Sequence, residues 1–231
     1  MPSSIKENLH RVRERIARAA NRAGRSTENI KLVAVSKRQS TQLIREAVVA
    51  GQRVFGENFI QEAQGKINAL DDLDISWHYI GQLQSNKAKI AADIFQMIET
   101  IDRVKLANML EKHLTGNDQQ LSVLAQINIG REKQKGGVLP ENAEEFLEEL
   151  QQYSHVRVRG LMTMPPFISD PEKLRPYFRE MRQLAEQFAA RGLFSDQGQV
   201  ELSMGMSGDF EVAIEEGATL VRVGTAIFGA R

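Results

Sequence analysis

The chain has no cysteine, which excludes disulfides, thiol nucleophiles and thiolate metal sites. Its four histidines are not clustered, and no H-E-x-x-H occurs, so no metal centre is expected. No dinucleotide-type G-x-G-x-x-G follows a candidate strand, so NAD is not expected either. Net charge is also absent: 30 Lys and Arg balance 30 Asp and Glu. That balance argues against broad electrostatic capture of nucleic acid or of an anionic membrane. Long apolar runs are missing too. The first twenty residues, MPSSIKENLHRVRERIARAA, are charged and amphipathic, with no signal-peptide core, and no transmembrane run follows. The chain reads as soluble and cytoplasmic. No low-complexity linker or block of like charge divides it, so one domain spanning residues 1–231 is expected.

Short apolar, β-branched runs alternate with longer amphipathic ones. Eight candidate strands emerge: Lys31–Lys37, Arg53–Glu57, Trp77–Gly81, Gln96–Asp102, Ser122–Ile129, Val158–Thr163, Glu201–Met206 and Leu220–Phe228. Between them the 3.6-residue period predicts helices at Thr41–Ala50, Phe59–Leu70, Ser85–Ala92, Val104–Thr115, Glu141–Tyr153, Glu172–Arg191 and Asp209–Glu216. A further helix over about Ser4–Ala23 precedes the first strand. Its apolar stripe (Ile5, Leu9, Val12, Ile16) needs burial, and capping the barrel floor would supply it, as would a partner. Such alternation makes an α/β protein with a parallel sheet. The count of eight suggests a single (β/α)8 TIM-type barrel, although a doubly wound open sheet gives a similar pattern.

Barrel chemistry sits where the strands end at their C-terminal side. Lys37 closes the first candidate strand behind the uncharged, mostly apolar run Leu32–Ser36. Desolvation there favours the neutral amine, which attacks aldehydes, whereas an ordinary strand-end lysine simply reaches solvent. Ser203–Asp209 (SMGMSGD) opens a helix with Ser207 placed as N-cap. Free N–H groups there suit a phosphate, and capping alone also explains the serine. In Arg222–Gly229 (RVGTAIFG), Gly224 and Thr225 end the buried part of the last strand, and Gly224 admits close backbone approach. The loops after strands seven and eight are the usual phosphate site of this fold. Arg222 is the one charge in an apolar strand. It needs a partner, either a carboxylate such as Glu57 or a ligand atom. An amine facing a phosphate cup fits a phosphorylated sugar aldehyde or ketone, as in imine-forming aldolases. It fits equally pyridoxal 5′-phosphate (PLP), an aldehyde carrying its own phosphate.

The remaining polar positions are less specific. Asn58 offers a side-chain donor at the mouth of strand two. His78 inside strand three reads first as a hydrogen-bonded core residue. Ser85 and Asn86 suit a helix start. The loop holding Glu132 and Lys135 fits a flap or an ordinary turn. Met162, Met164, Met204 and Met206 read as packing residues.

Taken in order, LVAVSK (Leu32–Lys37), FGEN with IQE (Phe55–Glu62), WHYIGQLQSNK (Trp77–Lys87), TID (Thr100–Asp102), GLMTMPP (Gly160–Pro166), LSMGMS (Leu202–Ser207) and VRVGTAIFGAR (Val221–Arg231) resemble the PLP homeostasis (YggS/PROSC) family. The resemblance implies a fold like the N-terminal barrel domain of alanine racemase, with PLP in its mouth. It implies that Lys37 forms the imine and that Ser207, Gly224 and Thr225 hold the phosphate. Arg222 would face the pyridine nitrogen, and Asn58 and Ser203 would lie near the cofactor. Lys135 matches a lysine of the strand-five loop, whose role stays open. The family pattern often has tyrosine where this chain has Phe59, so functions needing that hydroxyl do not carry over.

The resemblance leaves open whether the chain catalyses. An arginine cannot accept a proton, so opposite the pyridine nitrogen it weakens the ring as an electron sink. A two-base racemase also needs an acid/base on the face opposite the lysine. In alanine racemase that group is a tyrosine from another domain. No further domain is expected after the last strand here, and Tyr79, Tyr153 and Tyr177 have no evident claim to that face. The expectation is a PLP-binding protein, without robust catalysis for want of that group, that buffers, carries or delivers PLP to apo-enzymes and works as a monomer. The alternative is a low-activity amino-acid racemase using Lys37 with His78 or water.

Overall fold

Parallel strands covered on both faces need apolar side chains at nearly every position, which is why they read as unbroken runs rather than alternations. The computed structural model describes residues 4–195, 198 and 200–229. The last two residues of the stretch Val221–Arg231 and the first three of the chain lie outside the described residues. In chain order the elements are α1 (Ile5–Arg22), β1 (Lys31–Val35), α2 (Thr41–Val49), β2 (Val54–Glu57), α3 (Ile60–Ala69), β3 (Ser76–Tyr79), α4 (Ala88–Ile94) and β4 (Met97–Ile101). Then follow α5 (Val104–Asn117), β5 (Leu121–Ile127), α6 (Ala143–Leu150), β6 (Val156–Thr163), α7 (Arg175–Ala190), β7 (Glu201–Met206), α8 (Phe210–Glu215), β8 (Leu220–Val223) and α9 (Thr225–Phe228). The strands pair in sequence order, all parallel, and β8 closes on β1 through Val33 beside Arg222. The closed barrel settles the choice against an open sheet.

Outward strand residues such as Phe55, Trp77, Ile98 and Val123 join the buried faces of the helices in one continuous hydrophobic layer. Burying each such side chain contributes about 1.5–3 kcal/mol. The inward set is different. Met97, Leu124 and Met162 form a separate small cluster. Other inward positions are polar, and they place the site.

α1 starts with a capping box between Ser4 and Glu7. Ile5, Leu9, Val12 and Ile16 are buried, as their spacing requires. The helix packs against α2, α8 and α9, in the outer layer beside the β8–β1 junction. It therefore lies beside the barrel and does not cap its floor. Among the described residues, no helix is long and apolar enough to cross a membrane.

Several expected boundaries move. β1 stops at Val35, so Lys37 lies in the following turn and not in the strand. β8 stops at Val223; beyond Gly224 the chain coils into α9, which starts with Thr225. α4, α6 and α7 are each preceded by a 3-10 turn, at Ser85–Lys87, Pro140–Asn142 and Pro171–Leu174. Ser85 and Asn86 sit within the first of these turns, and no side chain caps it. Met206 is half exposed at the end of β7, unlike the fully buried Met204, and so is not a core residue.

Besides a β6 bulge between Val158 and Gly160, two more bend the regular pleat. β4 carries one extra residue between Ile98 and Ile101 relative to β5, and β7 one between Ser203 and Met206 relative to β8. Gly205, inside the second, adopts φ +93° and packs so tightly that a Cβ would lie 2.6 Å from Ala213 Cβ and 2.8 Å from Phe210 Cα. Gly205→Ala is expected to cost about 2–4 kcal/mol, from left-handed strain plus overpacking. Thermal melting measures it; an unchanged Tm would mean that this bulge relaxes freely.

Candidate functional site

The inward alternation on β1 is set by Val33 and Val35. A Cβ on inward Gly56 would lie 3.0 Å from Val33 Cγ1, and one on Gly224 would lie 3.3 Å from Val35 Cβ. Lys37, half-buried, follows in the turn just beyond the end of β1. On the neighbouring strand Arg222 stands level with Val33, and Gly224 follows two residues on. The amine-bearing end of β1 and the end of β8 are therefore side by side. A side chain at Gly224 would crowd β1, so that Val35 would have to give by a few tenths of an ångström.

Ser207 is not the N-cap of α8. Asp209 holds that position, and its carboxylate accepts a hydrogen bond from Met206 N at 2.5 Å. The N-cap thus lies two residues later than expected, and the helix starts one residue later, at Phe210. Ser207 is thereby released toward β8, where its Oγ accepts from Gly224 N at 3.3 Å. Ser207, Gly224 and Thr225 thus share one corner, formed by the loops after β7 and β8. At the mouth of β2, Asn58 is half-buried, and its Oδ1 is buried with no hydrogen-bond partner among the described residues.

Below the mouth runs a chain of buried polar groups. Arg222, only 3% exposed, donates to Ser203 Oγ and, at 2.8 Å, to the Thr163 carbonyl. Ser203 Oγ donates to Glu99 Oε2 at 2.5 Å, and Glu99 Oε1 meets His78 Nδ1 at 2.7 Å. Arg222 Nη1 also lies 3.9 Å from Glu99 Oε2. Burial alone would raise the Glu99 carboxyl. The hydrogen bond and charge of His78, the charge of Arg222 and the Ser203 hydroxyl outweigh it and hold the carboxyl below its usual range. Burial lowers the Arg222 pKa, opposed by Glu99 and Asp209. The guanidinium stays charged, since no protein environment deprotonates arginine at working pH.

The partner of Arg222 is therefore Glu99, not Glu57. Glu57 faces outward and pairs with Lys66 at 2.8 Å. Glu99 was overlooked in the sequence, yet it had a signal: it is the only charge within the apolar run Met97–Ile101. Two residues beyond inward Met97, it points to the interior by simple alternation. His78 is the hydrogen-bonded core histidine that its strand position suggests. Lys135 sits apart, on the β5 side of the mouth. It donates to the Pro165 carbonyl at 2.8 Å and pairs with Glu132 at 2.5 Å, tying the loop after β5 to the loop after β6.

Comparison with known proteins agrees with this architecture. Residues 8–231 match the family described as alanine racemase, N-terminal domain. The pyridoxal phosphate homeostasis protein of Aquifex aeolicus is 46% identical over 97% of each chain. PipY of Synechococcus elongatus, solved with PLP bound, is 35% identical over 98% of this chain and all of its own, with a TM-score of 0.85. Alanine racemase of Clostridium difficile, at 12% identity, shares the fold alone, with a TM-score of 0.77; this chain covers 60% of it. By these matches the chain belongs to the alanine racemase N-terminal domain family and, within it, to the pyridoxal phosphate homeostasis proteins.

Proposed function

We propose that the chain binds PLP through Lys37 and serves intracellular PLP homeostasis by buffering, carrying or delivering it, without robust catalysis. The observation that carries this reading is the convergence at one end of the barrel of an amine, a phosphate corner and a buried cation. Lys37 follows β1, Ser207 and Gly224 are hydrogen-bonded to each other, and Arg222 lies two residues below Gly224. The residues fit the group: a Cβ at Gly224 would crowd β1, and the buried Asn58 Oδ1 lacks a protein partner. Relatives named for PLP homeostasis, and PipY with PLP bound, support the same cofactor.

When bound, PLP supplies an aldehyde that condenses with amines and a ring that withdraws electrons. The chain's own groups then divide the work. Lys37 Nζ is the point of covalent attachment. Ser207 Oγ and the backbone N–H groups of Gly224 and Thr225 bind the phosphate, and Asn58 adds a polar contact. Arg222, a donor only, would leave a pyridine nitrogen held beside it unprotonated. Ser203 acts through Arg222, because its hydroxyl is already engaged by Arg222 and Glu99.

The acid/base set of a racemase is incomplete. Tyr79 is buried, its hydroxyl is pushed up to about 12 by that burial, and it donates to the Gln82 carbonyl at 3.2 Å. Tyr153 and Tyr177 pack against the outer hydrophobic layer. His78, the base a low-activity racemase would use beside Lys37, has Nδ1 bound to Glu99. The test is a pair of assays on PLP-loaded protein. PLP is expected to pass to a PLP-dependent apo-enzyme faster than from free PLP at the same free concentration. Amino acids should lose α-deuterium no faster than with free PLP. Enzymatic α-deuterium loss would establish the racemase reading instead, and absence of transfer would restrict the role to buffering.

A further inference from the structure

We infer that Lys66 and Glu62 of α3, with Glu57 of β2, form a positioning clamp that fixes the backbone on both sides of Lys37 and so sets where its amine meets the cofactor. The inference rests on the reading that PLP attaches at Lys37. The turn carrying that lysine closes through Gln39 N donating to the Ser36 carbonyl at 3.0 Å. The same carbonyl, one residue before Lys37, accepts from Lys66 Nζ at 2.6 Å. One residue after Lys37, Arg38 N donates to Glu62 Oε1. Lys66 and Glu62 are themselves paired at 2.6 Å, one helical turn apart. A single ion pair on α3 thus grips both neighbours of Lys37. Glu57 completes the clamp, accepting from Ser36 Oγ at 2.6 Å and from Lys66 at 2.8 Å.

Two features argue that the clamp does more than hold the fold. Lys66 is 6% exposed and Glu57 fully buried. A buried ion cluster is often no more stabilising than apolar side chains of the same volume. Stability alone therefore does not require charges here. In addition Arg38 has φ +61°, a left-handed conformation costly for a residue with a side chain. Such a conformation persists only where surrounding groups over-determine it. The Glu62 bond to Arg38 N and the Lys66 bond to Ser36 O hold it on either side. The residue between them is the one whose amine must be preorganised for reaction, since small misplacements of a reacting group are expensive.

The experiment compares wild type with Lys66→Met, Glu62→Ala and a control, Arg45→Met, which breaks an exposed ion pair with Asp72. PLP affinity is read from the imine absorption band. Arg38 amide hydrogen exchange is read in PLP-free protein. Glu62 is partly exposed, so its removal keeps the test informative should Lys66→Met fail to fold. Both clamp variants are expected to exchange the Arg38 amide faster and to bind PLP at least about tenfold more weakly, with the control unchanged. Faster exchange with wild-type PLP affinity would overturn the inference while leaving the cofactor reading intact. Wild-type protein that forms no adduct at Lys37 would sink the cofactor reading itself, and the inference with it.

Discussion

Replacing Lys37 by alanine is expected to abolish the covalent PLP complex and to leave only weak, reversible binding. The phosphate corner of Ser207, Gly224 and Thr225 lies on other strands and does not depend on Lys37. Its contacts, with Arg222 beneath, should still collect PLP noncovalently. The lost bond should weaken binding by on the order of a hundredfold or more, about 2.7 kcal/mol. The measurement is a PLP titration of both proteins followed by absorbance. Equal affinity and an unchanged imine band in the alanine variant would place the attachment on another lysine. Lys135 would be the next to examine, but its amine is committed to Glu132 and to the loop after β6.

The second large effect concerns the chain of groups below the mouth. Arg222→Met is expected to destabilise the fold by about 3 kcal/mol, the lower end of the range for removing one member of a buried ion pair. The lower end applies because His78 remains on Glu99. The loss also strips the buried Thr163 carbonyl of its guanidinium donor. For a chain of this size the Tm should fall by roughly 6–12 °C. Adding Glu99→Gln should recover part of the loss, because removing both charges spares the isolated carboxylate. A single substitution costing less than about 1 kcal/mol, or a double variant equal to the sum of the two singles, would show that Arg222 and Glu99 are not coupled through Ser203.

The barrel was legible because each strand of a parallel sheet is buried on both faces, and runs such as Leu32–Val35 and Val123–Ile127 follow directly. The helices were legible from their apolar stripes. The ends of the elements were not. The turn at Lys37 depends on Glu62 and Lys66, whose contacts with Ser36 and Arg38 cross sequence separations that no local pattern encodes. The role of Ser207 was misread because Asp209, two residues on, takes the cap position and turns the chain. Glu99 shares the inward parity of Met97, but the distant groups that receive it, Ser203 and His78, are encoded by no local pattern. Of the candidate site, Ser207 and Gly224 meet through a hydrogen bond, and Arg222 lies beside Val33 of β1, the strand that Lys37 follows. Ser203 lies one step deeper, as support for Arg222. The polar layer linking His78, Glu99, Ser203 and Arg222 became visible only once the barrel had closed.

The most direct measurement of the central claim is borohydride reduction of PLP-loaded protein followed by peptide mass mapping. Loss of the yellow colour with a pyridoxyl group on Lys37 alone is the predicted result. A protein that stays colourless and unmodified after PLP is added, or one labelled on another lysine, would contradict it.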